Sequence, residues 1–142
     1  MPTLIFVNLP VRDLAASIAF YEALGFARNP QFCDDNAACI VLSETIHVML
    51  LTHEKFMQFS PRPIADARAG AQVLLCLSAL SREAVDAQVG KAVAAGGVAD
   101  PTPTQEWGFM YGRSYEDPDG HIWEVMWMDP AGMTAGAETQ AA

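Results

Sequence analysis

The chain has 142 residues, of which 51% are hydrophobic and 18% charged, and a formal net charge of −9. That length suits one domain burying about 68–70% of its unfolded surface, and the composition is that of a compact globular protein rather than a disordered one. Its 8 Lys and Arg form no run, which argues against nucleic acid, and no apolar stretch approaches the roughly 18 residues of a membrane span.

Residues 4–11 alternate like a strand, with Ile5, Val7, Leu9 and Val11 on one side and Leu4, Phe6, Asn8 and Pro10 on the other. Asp13 is placed to cap a helix with a stripe through Leu14, Ile18 and Tyr21, and Gly25 reads as its left-handed stop. Packing the odd face under that helix leaves the even face, with Phe6 and Asn8, for a cleft. A short strand is expected around 27–33, then a hairpin of 37–42 and 46–51 across Ser43-Glu44-Thr45. His53–Phe59 spaces Phe56, Met57 and Phe59 like a short helix. Pro61 and Pro63 exclude a continuous helix or central strand over 60–70. Residues 53–70 therefore read either as a flap over the cleft or as a surface connection.

The same grammar then returns. Leu74 corresponds to Phe6 and Cys76 to Asn8, with 74 − 6 and 76 − 8 both giving 68 residues. Val73, Leu75, Leu77 and Ala79 should pack on the second helix, and Gln72, Leu74, Cys76 and Ser78 should face the cleft. Ser81 caps that helix, with Glu83 in its first turn and a buried stripe of Val85, Val89, Ala92 and Val93. Residues 108–115 and 121–128 form a last hairpin, joined by the turn Asp117-Pro118-Asp119-Gly120. Residues 131–142 lack an apolar periodicity and are expected to be disordered. The start of the sequence carries no export signal, and Cys33, Cys39 and Cys76 form no CxxC pair, which fits a reduced, cytoplasmic setting.

Asp13-Leu14, then Ser17-x-x-Phe20-Tyr21-x-x-Leu24-Gly25-Phe26, and the late Asp117-Pro118-Asp119-Gly120-His121-x-Trp123-Glu124, resemble the vicinal oxygen chelate superfamily. Its members include glyoxalase I, fosfomycin and bleomycin resistance proteins, and extradiol dioxygenases. The resemblance spans residues 3 to 129 and implies a glyoxalase-like α+β fold. Two tandem βαβββ modules, about 3–59 and 71–129 with a linker at 60–70, would share a single domain of residues 1–130. Their mixed sheets would curl into an open barrel, commonly completed by homodimerisation.

Metal-dependent members carry four ligands, which by this resemblance fall on Phe6, Met49, Leu74 and Glu124. Zinc, nickel, iron and magnesium want oxygen or imidazole donors, about three from protein at a catalytic site. Phe6 and Leu74 have none, and the Met49 thioether is a poor one. No metal cofactor is expected, although a displaced set of Asn8, His47 and Cys76 with Glu124 leaves a weak divalent site open. The competing reading makes Asn8 a polar orienting group, Cys76 a small buried apolar residue and His47 a hydrogen-bonding wall.

Glu124, among apolar neighbours, is the candidate catalytic acid or base, or else a carboxylate neutralised by Arg113 or His47. Arg113 is placed to meet an anionic ligand or to serve a structural ion pair, and Trp107 to stack on a ligand or pack a subunit. His121 reads as structural and His53 as exposed. Nucleophile-elbow, phosphate-loop and dinucleotide motifs are missing from the sequence.

The expected ligand set is thus Phe6, Asn8, His47, Met49, Leu74, Cys76, Trp107 and Arg113, around a small, partly apolar molecule. The leading function is metal-free binding by a bleomycin-resistance-like cytoplasmic homodimer. The alternatives are a lactoylglutathione lyase-like metal lyase or isomerase built around Glu124 and His47, and a structural dimerising module without ligand.

Overall fold

A computed structural model describes residues 1–131, so the expected disordered tail lies outside the described residues from position 132 onward. The chain divides into two compact units, Met1–Gly70 and Ala71–Ala142.

The first unit runs β1 (Ile5–Val11), α1 (Leu14–Ala23), β2 (Ala27–Asn29), a single 3₁₀ turn (Pro30–Phe32), β3 (Ala37–Val41), β4 (Ile46–Thr52) and α2 (His53–Phe59). Its sheet is open and ordered β1-β4-β3-β2. β1 pairs in parallel with β4, and β3 is antiparallel to both β4 and β2. The Asp13 carboxylate accepts from the Ala16 N–H at 3.1 Å and starts α1, while Gly25 takes the left-handed φ of 98° that follows it. The buried stripe of α1 is Ser17, Phe20 and Tyr21, continued by Leu24. That corrects the stripe expected through Leu14 and Ile18, which are only half-buried. Positions 17, 20, 21 and 24 fall on one helical face, and the two largest aromatic side chains decide which face turns inward. β2 is also shorter than expected, because Asn29 and Pro30 turn the chain into the 3₁₀ segment.

Under α1 lie Leu9 and Val11 of β1, Ala38 and Ile40 of β3, and Val48 and Leu50 of β4, all buried. Strand alternation sends Phe6, Asn8 and Pro10 to the opposite face.

The second unit repeats the plan with β5 (Leu75–Ser78), α3 (Arg82–Ala94), β6 (Val98–Ala99), β7 (Gln105–Glu106), β8 (Met110–Glu116) and β9 (Ile122–Met128). The sheet order is β5-β9-β8-β6, with β7 also on β8. β5 is parallel to β9, as β1 is to β4. Ser81 Oγ accepts from the Ala84 N–H at 3.0 Å, and α3 buries Val85, Val89 and Ala92. Val93 is 48% exposed and leaves the expected stripe, since it follows Ala92 by only 100° around the helix. Trp107, Trp123 and Trp127 all belong to this unit.

The α3 side of β8 carries a charged network. Arg113 donates to both Asp100 oxygens, at 3.1 and 2.7 Å, and to Asp86 at 3.0 Å, where the Tyr111 hydroxyl also donates at 2.7 Å. Asp100 holds a left-handed φ of 53°, fixed by its N–H on the Ser114 carbonyl at 2.8 Å. Hydrogen bonds from Arg113 hold Asp100 below the usual carboxylate range, and those from Tyr111 and then Arg113 do so for Asp86. Both carboxylates favour the folded state above the ordinary carboxylate pKa and lose that contribution as the pH falls through their lowered values. The side chains of Arg113 and Asp100 are 22% and 31% exposed, so solvent screens the pair. Asp100→Asn should therefore cost only about 1 kcal/mol at neutral pH. Below pH ~4 the wild type should converge on the variant, a difference read from urea midpoints at the two pH values.

Candidate functional site

Each unit presents one sheet face away from its long helix, and in each the same register recurs. In the first unit Phe6 lies opposite His47, and Asn8 opposite Met49, which is itself opposite Cys39. In the second unit Cys76 lies opposite Glu124, which is opposite Ser114. Asn8 with Met49 and Cys76 with Glu124 are thus corresponding pairs.

In the first unit, the Phe6 and His47 rings are stacked with centroids 4.7 Å apart and planes 12° from parallel. Phe6 is 50% exposed, whereas both His47 ring nitrogens are buried without a hydrogen-bond partner. Asn8 Nδ2 donates to the Phe6 carbonyl at 3.2 Å. Thr52 Oγ1 accepts from the Lys55 N–H at 3.2 Å, which turns the end of β4 into α2. α2 packs against β1 and β4 and frames an open groove of about 640 Å³ lined by Asn8, Leu51, Phe56, Phe59 and Ser60. Of these five, sequence reasoning placed only Asn8 in the site. The helical spacing of Phe56 and Phe59 was the signal for two more, obscured by reading 53–70 as a flap or connection.

In the second unit, Glu124 lines a hollow of about 20 Å³, together with Thr102, Gln105 and Ser114, with room for a single water. Ser114 Oγ is engaged by Thr102, accepting from its N–H at 3.1 Å and donating to its carbonyl at 3.2 Å. Cys76 is exposed, which corrects the buried place expected for it on this short strand, and partial desolvation, then the Glu124 carboxylate, push its thiol above its ordinary pKa. That keeps it protonated and makes it a weak nucleophile at neutral pH. Leu74 precedes β5 and is exposed.

Arg113 is one residue out of phase with Ser114, so it points to the α3 side and not toward Glu124. Its fork is taken up by Asp86 and Asp100. Trp107 is 61% exposed at the turn into β8, with its indole N–H donating to Gln105 Oε1 at 3.2 Å. The turn is pinned by Arg82, which bonds the Glu106 carboxylate and donates to the Gly108 carbonyl at 2.8 Å. The Arg82 guanidinium also lies over the rings of Tyr111 and Trp127, at 5.3 and 5.1 Å.

The match to the family model for the Glyoxalase/Bleomycin resistance protein/Dioxygenase superfamily covers residues 3–125. The chain belongs to that superfamily. Among solved structures, it is similar to a hypothetical protein from S. aureus at 29% identity, with a TM-score of 0.74 and coverage of 89% of this chain and 95% of the other. It is similar in fold to a superfamily enzyme from Burkholderia phytofirmans PsJN, at 24% identity, TM-score 0.73 and coverage of 89% and 99%. A glyoxalase-related enzyme from Fulvimarina pelagi gives 21% identity, TM-score 0.74 and coverage of 89% and 88%. A comparison with curated proteins finds no match.

Metal chemistry needs a donor set, and the four positions that the family resemblance assigns to ligands do not supply one. Phe6 and Leu74 offer no donor atom, Met49 offers a thioether, and Glu124 alone offers a carboxylate. Within either unit, among the described residues, no three His, Cys, Asp or Glu side chains are grouped closely enough to hold an ion.

A buried imidazole with neither nitrogen paired weakens the fold by about 1–3 kcal/mol. His47→Phe keeps the stack on Phe6 and removes the unpaired atoms. The variant should match or exceed the wild type in stability, by up to about 1 kcal/mol in a denaturant titration. A loss of about 2 kcal/mol or more would show that the ring nitrogens are bonded after all.

Proposed function

We propose that this protein binds a small, partly apolar molecule on the open face of its first unit, and does so without a metal ion. The observation that carries the reading is the groove of about 640 Å³ walled by Leu51, Phe56 and Phe59, with Asn8 of β1 at its edge. A cleft of that size with mainly apolar walls and a few polar groups is what small-molecule sites have in common. The side chains standing at the superfamily's ligand positions favour the same conclusion. Phe6 and Met49 add apolar contact area where a metal enzyme would need donors. Glu124, with a water-sized hollow and a protonated thiol beside it, lacks the companions that Lewis-acid catalysis requires.

The superfamily's name joins enzymes to a resistance protein, and this donor set suits holding a molecule more than transforming it. No helix among the described residues is long and apolar enough to cross a membrane.

Thermal unfolding tests the reading. Excess zinc, nickel or magnesium should leave Tm unchanged. A ligand that fills the groove should stabilise the fold by about 2.7 kcal/mol at a free concentration one hundred times its Kd. Phe59→Ala, at a side chain that is 70% exposed, should weaken that ligand without lowering the Tm of the free protein. A metal-dependent rise in Tm that vanishes in Glu124→Ala would overturn the proposal.

A further inference from the structure

We propose that the groove between α2 and the first sheet selects planar aromatic molecules carrying an O–H or N–H donor, phenols above all, and that Asn8 Oδ1 reads that donor. This rests on the small-molecule reading above and adds the chemistry of the ligand.

The walls favour a flat ring. Phe56 and Phe59 are three residues apart on α2, so their rings share one side of the helix, and Leu51 faces them from β4. Phe59 stays largely open, with Lys55 Nζ 5.5 Å from its ring centroid. A planar ligand can lie against such surfaces with offset or edge contacts that an aliphatic ring does not make.

The polar groups favour a donor. Two polar side chains line the groove. Ser60 Oγ is used by the turn that leaves α2, donating to the Arg62 carbonyl at 2.6 Å and accepting from its N–H at 3.2 Å. Asn8 is oriented by its own bond, since Nδ2 donates to the Phe6 carbonyl at 3.2 Å. Reversing that amide would set two carbonyl oxygens against each other. Oδ1 is left, among the described residues, as the uncommitted side-chain acceptor of an otherwise apolar lining.

A ligand lying against the apolar walls covers the exposed Oδ1, and an acceptor so covered discriminates through what it leaves unpaired. A phenol replaces the water lost from Oδ1 with its own O–H. Its methyl ether keeps the ring and the oxygen, adds one methyl group and brings a second acceptor to the first, so both lose their hydration without compensation. The predicted preference is set by the one donor that the ether lacks.

The test uses the full chain and an amide chemical-shift titration with para-ethylphenol, para-ethylanisole and cyclohexanol. The phenol should shift resonances of β1, β4 and α2 and bind about tenfold more tightly than either of the others. Asn8→Ala should abolish the difference between phenol and ether, and Asn8→Gln, which keeps both the acceptor and the donor of the amide, should preserve it. Asn8 is exposed, so both variants should fold. Equal affinity for phenol and ether, or discrimination that survives Asn8→Ala, would overturn this inference and leave the small-molecule reading standing. Cyclohexanol binding as tightly as the phenol would remove the requirement for a flat ring. Failure of all three to perturb the groove would overturn both.

Discussion

Within each unit the first strand hydrogen-bonds in parallel to the last, and a parallel pair requires a long crossover between its members. The crossover helix packs on one face of the sheet only. β1 with β4, and β5 with β9, are thereby fixed in register before any functional residue is considered. On β1 one parity goes into the core and the other is left more open, whereas β3 is buried on both faces. Phe6, Asn8, His47 and Met49 share a surface for this reason, as do Cys76, Glu124 and Ser114. A slip of one residue would bury the asparagine and expose the core valines.

Much of this was legible in the sequence because it depends on period and punctuation. The alternation of 4–11, the caps at Asp13 and Ser81, the stop at Gly25 and the turn at 117–120 place the main strands and helices within a few residues. The even-face assignment of Phe6 and Asn8 followed from alternation alone. Details set by bulk packing were less legible. The rotation of α1 is decided by Phe20 and Tyr21, and Val93 leaves the α3 stripe because Val85, Val89 and Ala92 already fill the contact.

The site shows the same division. Arg113 could be read for a ligand or for a structural ion pair, and nothing in a linear sequence reveals that Asp86 and Asp100, 27 and 13 residues away, are the partners that converge on it. The groove residues Leu51 and Ser60 carry no pattern that marks them. They acquire a role only because α2 folds back beside β1, a tertiary event with no local signature. The mismatch of donors was readable earlier, since a phenylalanine or leucine lacks a lone pair whatever the fold around it.

The three tryptophans fall in one half of the molecule. Intrinsic tryptophan fluorescence therefore originates in the half bearing Glu124, and the half bearing the groove has no tryptophan emission of its own. Two halves built on one plan have in this way become optically unequal, and any account of their cooperativity must listen to the quiet one through its tyrosine, Tyr21, or its backbone amides.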